Sequence, residues 1–577
     1  MNAELLLSHF NRISDAPDAI PRMRQFILDL AVRGKLVEQD PKDEPAPELL
    51  KRIRTEKTKA LEKGEARKEK PLPLLAQPDI PFSIPTGWCW SQLAEVGFIN
   101  PRNSAEDGRQ SSFVPMALIS AEYGITNTHE VRLWGEIKGG FTHFAEGDVA
   151  LAKITPCFEN GKSTILRELT GGIGAGTTEL HVMRPVLISA DYVLIFLKCP
   201  YFIESGIPKM TGTAGQKRVP TEYFANSSFP LPPLAEQHRI VGKVNELMAL
   251  CDRLDAAQRE RQSRRDRFMA ATHHHINNGA DGQSVQANLQ FFIDRFPRIT
   301  SSANHVKQLR ETILNFAVRG KLITQTPTDE SASELFKRIL AEQQRLIKSG
   351  LIPRRKALSS SDSLGLSFVC PLNWKAVNFG DLCNIVTSGS RGWAEYYSDS
   401  GPKFIRAQNI RFGKLRLDDL ACVSPPARSE GTRTQLSKGD LLIVITGAGV
   451  TNPAMMAEDI GEAYVSQHVA LIKPTDTSLS PWLLLYLMAH KGGRAALVER
   501  AYGAGKPGLN LDNIRSLPTP LPPLAEQMRI VNQVRDLMAL CDQLEAQLHT
   551  AQDESSRLLE SVLHRALEAQ RYDMIEG

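Results

Sequence analysis

The sequence predicts a mixed α/β (α+β) protein with a pseudo-twofold internal repeat, in which two globular domains are separated by two long antiparallel coiled-coil helices. Three observations lead there: the chain is written twice, each copy ends in a run of apolar residues at helical spacing, and the stretch between is rich in short strands and turns. A chain of 577 residues also exceeds what one hydrophobic core organises.

The repeat is read from blocks that return in the same order. ILDLAVRGKL at 27–36 returns as ILNFAVRGKL at 313–322, ELLKRI at 48–53 as ELFKRI at 334–339, and Pro85 with Trp88 as Pro371 with Trp374. All three share a shift of 286, as 313 against 27 and 374 against 88 show. LPPLAEQHRIV at 231–241 returns as LPPLAEQMRIV at 521–531, and LMALCD at 247–252 as the same six residues at 537–542, both with a shift of 290. Between the blocks, residues from about 100 to 225 and from 386 to 515 barely align, apart from a Gly-Asp turn before an apolar run (Gly147-Asp148, Gly439-Asp440). A constant frame around unlike contents suits a protein that holds two different reading surfaces in fixed relation.

Taken along the chain, residues 1–80 form a helical arm and linker. The AVRGKL and ELLKRI segments have helical patterns, and the polar run 57–70 passes into Pro-rich 71–85. Residues 81–233 form the first variable domain, with strand-like GDVALAKITPC (147–157) and ELHVMRP (180–186). Residues 234–275 form the first long helix, which Pro233 and Glu236 suit at its start. Its seam is Leu234, Ile240, Val244, Leu247, Cys251 and Leu254, and it turns polar after that. A helix over 235–272 would be about 55 Å long at 1.5 Å per residue.

Residues 276–366 are a linker and the repeated arm, with the stretch from 273 to 290, His triplet included, read as a solvated hinge. Residues 367–523 form the second variable domain, with KFIRAQNIRFGKLRL (403–417), GDLLIVITGAG (439–449) and QHVALIKP (467–474) as strands and turns. Residues 524–577 form the second long helix, with a seam of Leu524, Ile530, Val534, Leu537, Cys541, Leu544, Leu548 and onward to Val562 at heptad spacing. The seam residues Leu234 to Cys251 and Leu524 to Cys541 are expected to pack helices or partner subunits, with Cys251 and Cys541 as small apolar core residues.

Composition excludes more than it assigns. A net charge of +4 permits a polyanion partner without demanding one. Eight cysteines stand without a C-x-x-C pair or zinc spacing, which suits reduced thiols in the cytoplasm. The start carries no signal-peptide pattern, and the apolar runs are too short to span a bilayer, so no membrane is expected. Chemistry is equally hard to find. Two of the three Pro-Pro pairs lie in LPPL, where leucine cannot hold a target amine, and the third, Pro425-Pro426, is followed by Ala427 where an aromatic residue would be needed; Gly161-Lys162-Ser163 lacks the first glycine of a phosphate loop because Pro156 stands there. No metal site, and no H-E-x-x-H or G-x-S-x-G pattern, is present.

Nucleic acid is the partner the variable domains suit. Arg406, Gln408, Asn409 and Arg411 cluster in one stretch, and these side chains are suited to guanine and adenine edges. Gln216, Lys217 and Arg218 lie on a Gly-bearing loop, with Lys506 in the matching GAGKPGLN stretch, while Lys153, Lys162 and Arg391 add charge nearby.

Repeated LPPLAEQ before a heptad helix, repeated AVRGKL, and two dissimilar domains between them closely resemble the specificity subunits of type I restriction-modification systems. The resemblance implies a non-catalytic chain whose two target-recognition domains each bind one half of a split site on double-stranded DNA. Paired helices would set the spacer. It further implies two modification (methyltransferase) subunits and restriction (motor-nuclease) subunits as partners, S-adenosylmethionine, ATP and Mg in those partners, and no cofactor in this chain. The competing readings are a self-contained or fused restriction or modification enzyme and a duplicated scaffold that binds no DNA.

Overall fold

A computed structural model describes residues 16–568 apart from 17, 65–71, 74–79, 214, 279–299, 301, 355–364, 367, 390, 427–430 and 503–507. Six helices make the frame: α1 (Ala19–Val32), α2 (Ala46–Glu62), α3 (Leu234–Asn278), α4 (Ala303–Val318), α5 (Ala332–Lys348) and α6 (Leu524–Glu568). The chain divides into two compact units, one of residues 1–260 with 551–577 and one of residues 261–550.

In the first unit the variable domain hangs from a neck in which strands Cys89–Gln92 and Ser228–Leu231 pair antiparallel, with Cys89 opposite Leu231. The chain therefore enters and leaves side by side, and the frame is indifferent to what lies between. Beyond the neck, an antiparallel sheet runs in the order Gly97–Ile99, Leu180–Pro185, Val149–Ala152, Ser163–Ile165. Its apolar face packs on helix Ala190–Lys198 in one core with the arm helices and the start of α3. A second sheet, ordered Glu130–Leu133, Gln110–Val114, Ile173–Gly176, Thr142–Ala145, contains one parallel pair.

The second unit repeats the neck, with Lys375–Asn378 against Pro518–Leu521 and Lys375 opposite Leu521. It repeats the first sheet as Cys383–Ser388, Val469–Pro474, Leu441–Val444, Pro453–Met455. Its second sheet differs. Three strands stand in the order Ala421–Val423, Tyr397–Ile405, Ala463–Val465, beside a separate hairpin of Ile410–Arg411 and Lys414–Leu415.

The Gly-Asp turns carry a buried charge in both units. Asp148 is 1% exposed, accepts from the Ala145 N–H at 2.7 Å, and meets Arg184 at 2.8 and 2.9 Å. Asp440 accepts from the Ser437 N–H at 2.8 Å and pairs with Lys473. Burial pushes both carboxyls up from their ordinary values, and the facing cation offsets part of that shift. Each aspartate ties the turn to a neighbouring strand of the same sheet.

The AVRGKL block, the Pro-Trp pair and the LPPLAEQ block meet at one joint per unit. Helix α1 stops because Gly34 is left-handed (φ 68°), which lets the Gly34 and Lys35 N–H groups close on Ala31 O and Leu30 O. Gly320 (φ 67°) ends α4 in the same way. The GKL of each AVRGKL block is thus a helix stop, which corrects the helical reading of those residues. A Cβ at Gly34 would lie 2.4 Å from Pro85 Cγ and 3.2 Å from Trp88 Cζ2, and one at Gly320 would lie 2.6 Å from Pro371 Cγ. This close approach explains why the Pro and Trp recur with the AVRGKL block.

Trp88 Nε1 then donates to Glu236 Oε2 at 2.9 Å, Gln39 Nε2 donates to Glu236 Oε1 at 2.6 Å, and Arg239 pairs with Asp43 at 2.6 Å. In the second joint Glu526 faces Trp374 and Gln325, and Arg529 pairs with Asp329. Both glutamates are 1% exposed, and burial pushes their carboxyls up. Glu236, read from sequence as a helix-start charge, is instead the buried acceptor that seats the first long helix on its arm; Glu526 takes the same place in the second joint, where Glu526 Oε1, Trp374 Nε1 and Gln325 Nε2 are buried without a hydrogen-bond partner among the described residues. Gln237 adds a tie to the domain, accepting from the Ser189 N–H at 2.9 Å and donating to Pro232 O at 3.0 Å.

The long helices each span 45 residues, about 68 Å at 1.5 Å per residue. Helix α3 continues through His273, His274 and His275 to Asn278, which corrects the reading of the His triplet as hinge; residues 279–290 of that hinge lie outside the described residues. In the first unit Ile240, Val244, Met248 and Cys251 join the core, with Leu234, Leu247 and Leu254 flanking it. In the second, Ile530, Val534, Leu537, Cys541 and Leu544 do the same, flanked by Leu524 and Leu548.

Candidate nucleic-acid interface

In both variable domains the central strand of the shared sheet ends where a later loop is clipped onto it. Ile154 and Thr211 each bridge to Arg218, and the Thr155 N–H donates to Lys217 O at 2.9 Å. In the second domain Thr446 and Tyr502 each bridge to Gly508, and the Leu509 N–H donates to Ile445 O at 2.8 Å. Arg218 in the first domain and Gly508 in the second thus occupy equivalent places.

Of the residues nominated in the first domain, Gln216 and Lys217 are exposed on this loop. Lys153 is half-buried at the strand end, where its backbone bonds Glu179 and Val219, and Lys162 is half-buried beside the Gly161 turn. Arg218 is paired at the surface: Nε and Nη2 donate to the two Glu179 oxygens, both at 2.8 Å. That pair holds the Glu179 carboxyl below its usual range. Beneath the loop, His181 donates from Nε2 to Val219 O at 3.0 Å and stacks on Phe224; burial pushes it down to about 4, so at neutral pH it is a neutral strut rather than a cation.

In the second domain Arg391, Gln408 and Arg411 are exposed. Arg406 is half-buried and faces Asp419 at 3.8 Å. Lys506 lies outside the described residues. Asn409 requires a correction. It is 2% exposed, its Oδ1 accepts from the Arg406 N–H at 2.9 Å, and its Nδ2 donates to Asp419 O at 2.8 Å. Its amide is spent on holding its own loop and presents no edge to a base.

The structure thus gathers Lys153, Gln216, Lys217 and Arg218 at one strand end, with Lys162 beside it through its carbonyl, which accepts from the Ala152 N–H at 2.9 Å, and it gathers Arg406, Gln408 and Arg411 around one hairpin. Two features escaped sequence reasoning. Arg494 lies over the Phe412 ring at 5.0 Å, and the only advance signal was the aromatic between cations in Arg411-Phe412-Gly413-Lys414. Lys198 is 8% exposed and donates from Nζ to Ser120 O, Ala121 O and Gly161 O at 3.3, 3.0 and 3.0 Å. Burial pushes its ammonium down to about 7. Among the described residues no three His, Cys, Asp or Glu side chains stand together as a metal site, and no helix is long and apolar enough to cross a membrane.

Residues 371–551 match the type I restriction modification DNA specificity domain. The type I restriction enzyme EcoEI specificity subunit of Escherichia coli is 35% identical over 567 residues, covering 95% of this chain and 94% of that protein. The EcoAI specificity subunit of the same species is 35% identical over 560 residues, with the same coverage. Among solved structures, the HsdS subunit from Thermoanaerobacter tengcongensis aligns with 84% of this chain and 98% of its own, at 19% identity and a TM-score of 0.41.

Proposed function

The chain belongs to the specificity subunits of type I restriction enzymes, and we propose from that premise how it divides its work. It confers DNA sequence specificity on a type I restriction-modification complex. Each variable domain reads one half of a bipartite, asymmetric site on double-stranded DNA, and α3 and α6 pair as antiparallel rods that set the spacer between halves. The observation that carries this reading is the pair of necks: the same antiparallel two-strand joint, in the same register, suspends domains whose second sheets differ in strand number and order.

The arms support opposed rods. Within the first unit α1 meets the early part of α3 through Arg24 and Asp252 at 2.5 Å, and Ala16 and Ala19 cluster with Leu559 and Val562 near the end of α6. Within the second, α4 meets α6 through Arg310 and Asp542 at 2.6 Å and the end of α3 through His305 and Asp266 at 2.8 Å, with Met269 in the core. Each arm, within its own unit, thus touches the beginning of one long helix and the end of the other, which supports the proposed pairing.

The chain itself carries no catalytic role. Two modification subunits supply methyl transfer with S-adenosylmethionine, restriction subunits supply the motor and nuclease with ATP and Mg, and the assembly works in the cytoplasm. The exposed seam-adjacent faces and the arms are the docking surfaces for those partners. The test is an exchange of residues 386–515 for another variable domain, with methylated sites mapped after assembly with modification subunits. One half-site should change and the other should persist. Methylation by this chain alone, or a change in both halves, would overturn the reading.

A further inference from the structure

Residues 406–416 build a small rigid device on the second variable domain. Strands Ile410–Arg411 and Lys414–Leu415 pair antiparallel, with Arg411 opposite Lys414. Ile410 is 1% exposed and enters a core on which Leu415 packs, so the alternation of the strands turns Arg411 and Lys414 outward. The turn between them is pinned from below. Gly413 (φ 75°) donates its N–H to Pro453 O at 2.9 Å, and it lies so close to Met488 that a Cβ would sit 2.5 Å from the Met488 methyl.

The base of the hairpin is tied as well. The Arg416 N–H donates to Asn409 O at 2.8 Å, and the Asn409 side chain bonds both the Arg406 N–H and Asp419 O. Phe412, 43% exposed, is held under the Arg494 guanidinium, whose Nη1 donates to Thr451 O at 2.6 Å. Charge is distributed unevenly over this device. Arg416 is matched by Asp418 and Arg406 by Asp419, whereas Arg411 and Lys414 have no acidic partner among the described residues. A preorganised ribbon whose only unmatched charges are two cations at its tip fits a polyanion, and a two-stranded ribbon fits the major groove of duplex DNA.

We infer that this hairpin is the base-reading element of the second domain, with Arg411 at a guanine edge in the major groove and Lys414 on an adjoining phosphate; the inference rests on the reading of the chain as a DNA specificity subunit. Phe412 keeps the tip in place through Arg494, so the reading geometry exists before DNA arrives. Among the described residues the first domain has no hairpin of this kind, so the two domains address their half-sites with different parts.

The experiment uses the full chain assembled with modification subunits and a pool of duplexes randomised across both half-sites. Arg411→Ala should relax selection at one base pair of the second domain's half-site by about 10- to 100-fold and leave the other half-site untouched. Arg411→Lys should relax the same position, because a point charge lacks the two-pronged contact, while keeping the salt dependence. Lys414→Ala should weaken all duplexes alike and lower the slope of log affinity against log salt by about one. Unchanged base preferences in both Arg411 variants would overturn the inference. If the exchange of 386–515 still moved one half-site, only the hairpin assignment would fall; if that exchange moved neither, the functional reading beneath it would fall too.

Discussion

The joints and the second sheets of the variable domains stand at opposite ends of what duplication has kept. At the joint, the first copy's Gly34, Gln39, Asp43, Trp88, Glu236 and Arg239 have counterparts identical in type in Gly320, Gln325, Asp329, Trp374, Glu526 and Arg529, and the Arg–Asp pair recurs in both. Beyond the neck and the first sheet, four strands in one copy answer to three strands and a hairpin in the other. The difference teaches where geometry has to be constant. A buried glutamate holding a tryptophan tolerates few alternatives, because an unmatched polar group in a core costs about 1–3 kcal/mol. A solvent-facing sheet edge that meets a ligand has no such constraint from the fold.

If the joints are equivalent, mirrored substitutions should cost the same in both. Trp88 is 4% exposed and Trp374 is 7% exposed. Trp88→Ala and Trp374→Ala should each destabilise their own unit by about 3–5 kcal/mol, chiefly from the cavity, with the lost Trp88–Glu236 hydrogen bond adding to the first. Urea unfolding followed by hydrogen exchange in each unit measures this separately. A large loss on one side with less than about 1 kcal/mol on the other would break the equivalence.

Gly34→Ala and Gly320→Ala sharpen the comparison at smaller amplitude. Both residues are left-handed and both abut a proline and a tryptophan ring, so each change should cost about 1–3 kcal/mol and lower the melting temperature of its unit. A matched control is Gly147→Ala, also left-handed but with open space around its would-be Cβ. It should cost the strain without the overlap, and a control as damaging as the joint variants would show that contact with Pro85 and Trp88 contributes nothing.

Much of the frame was legible because it is periodic or repeated. Heptad spacing located α3 and α6, and the shared shift of 286 tied Trp88 to the AVRGKL block before any contact was known. Partners distant in sequence were not legible. Glu236 looked like a helix-start charge because the tryptophan that binds it lies 148 residues away. Asn409 looked like a base reader because polar residues clustered around it, and nothing local revealed that Ile410 turns inward and takes its neighbour with it. The His triplet looked like a hinge because polar residues there lack a seam, yet a helix already begun extends through them to Asn278.

The smallest effect concerns a place where the domains diverge inside an equivalent element. Helices Ala190–Lys198 and Ser480–Met488 are both nine residues long and lie at the shift of 290, so Lys198 in one copy stands where Met488 stands in the other. Lys198 reaches three backbone carbonyls in the loops around Ser120 and Gly161, and the acidic group that acts on it is Glu122. Burial lowers its pKa from 10.5 to about 7 in the folded chain. Between those values the unfolded chain binds the extra proton, so this group makes stability rise as pH climbs from about 7 and contributes a constant penalty below it. The slope from one group is at most about 1.4 kcal/mol per pH unit. Melting of the first unit between pH 7 and 8.5, compared with Lys198→Met, isolates the contribution, because Cys89 and Tyr123 are both pushed upward and stay protonated through that window. The variant should lose most of the upward slope in the first unit and change nothing in the second, whose equivalent position is already a methionine. Equal slopes in the two proteins would mean that Lys198 keeps its proton at ordinary alkaline pH, and that its three carbonyl contacts compensate burial in full.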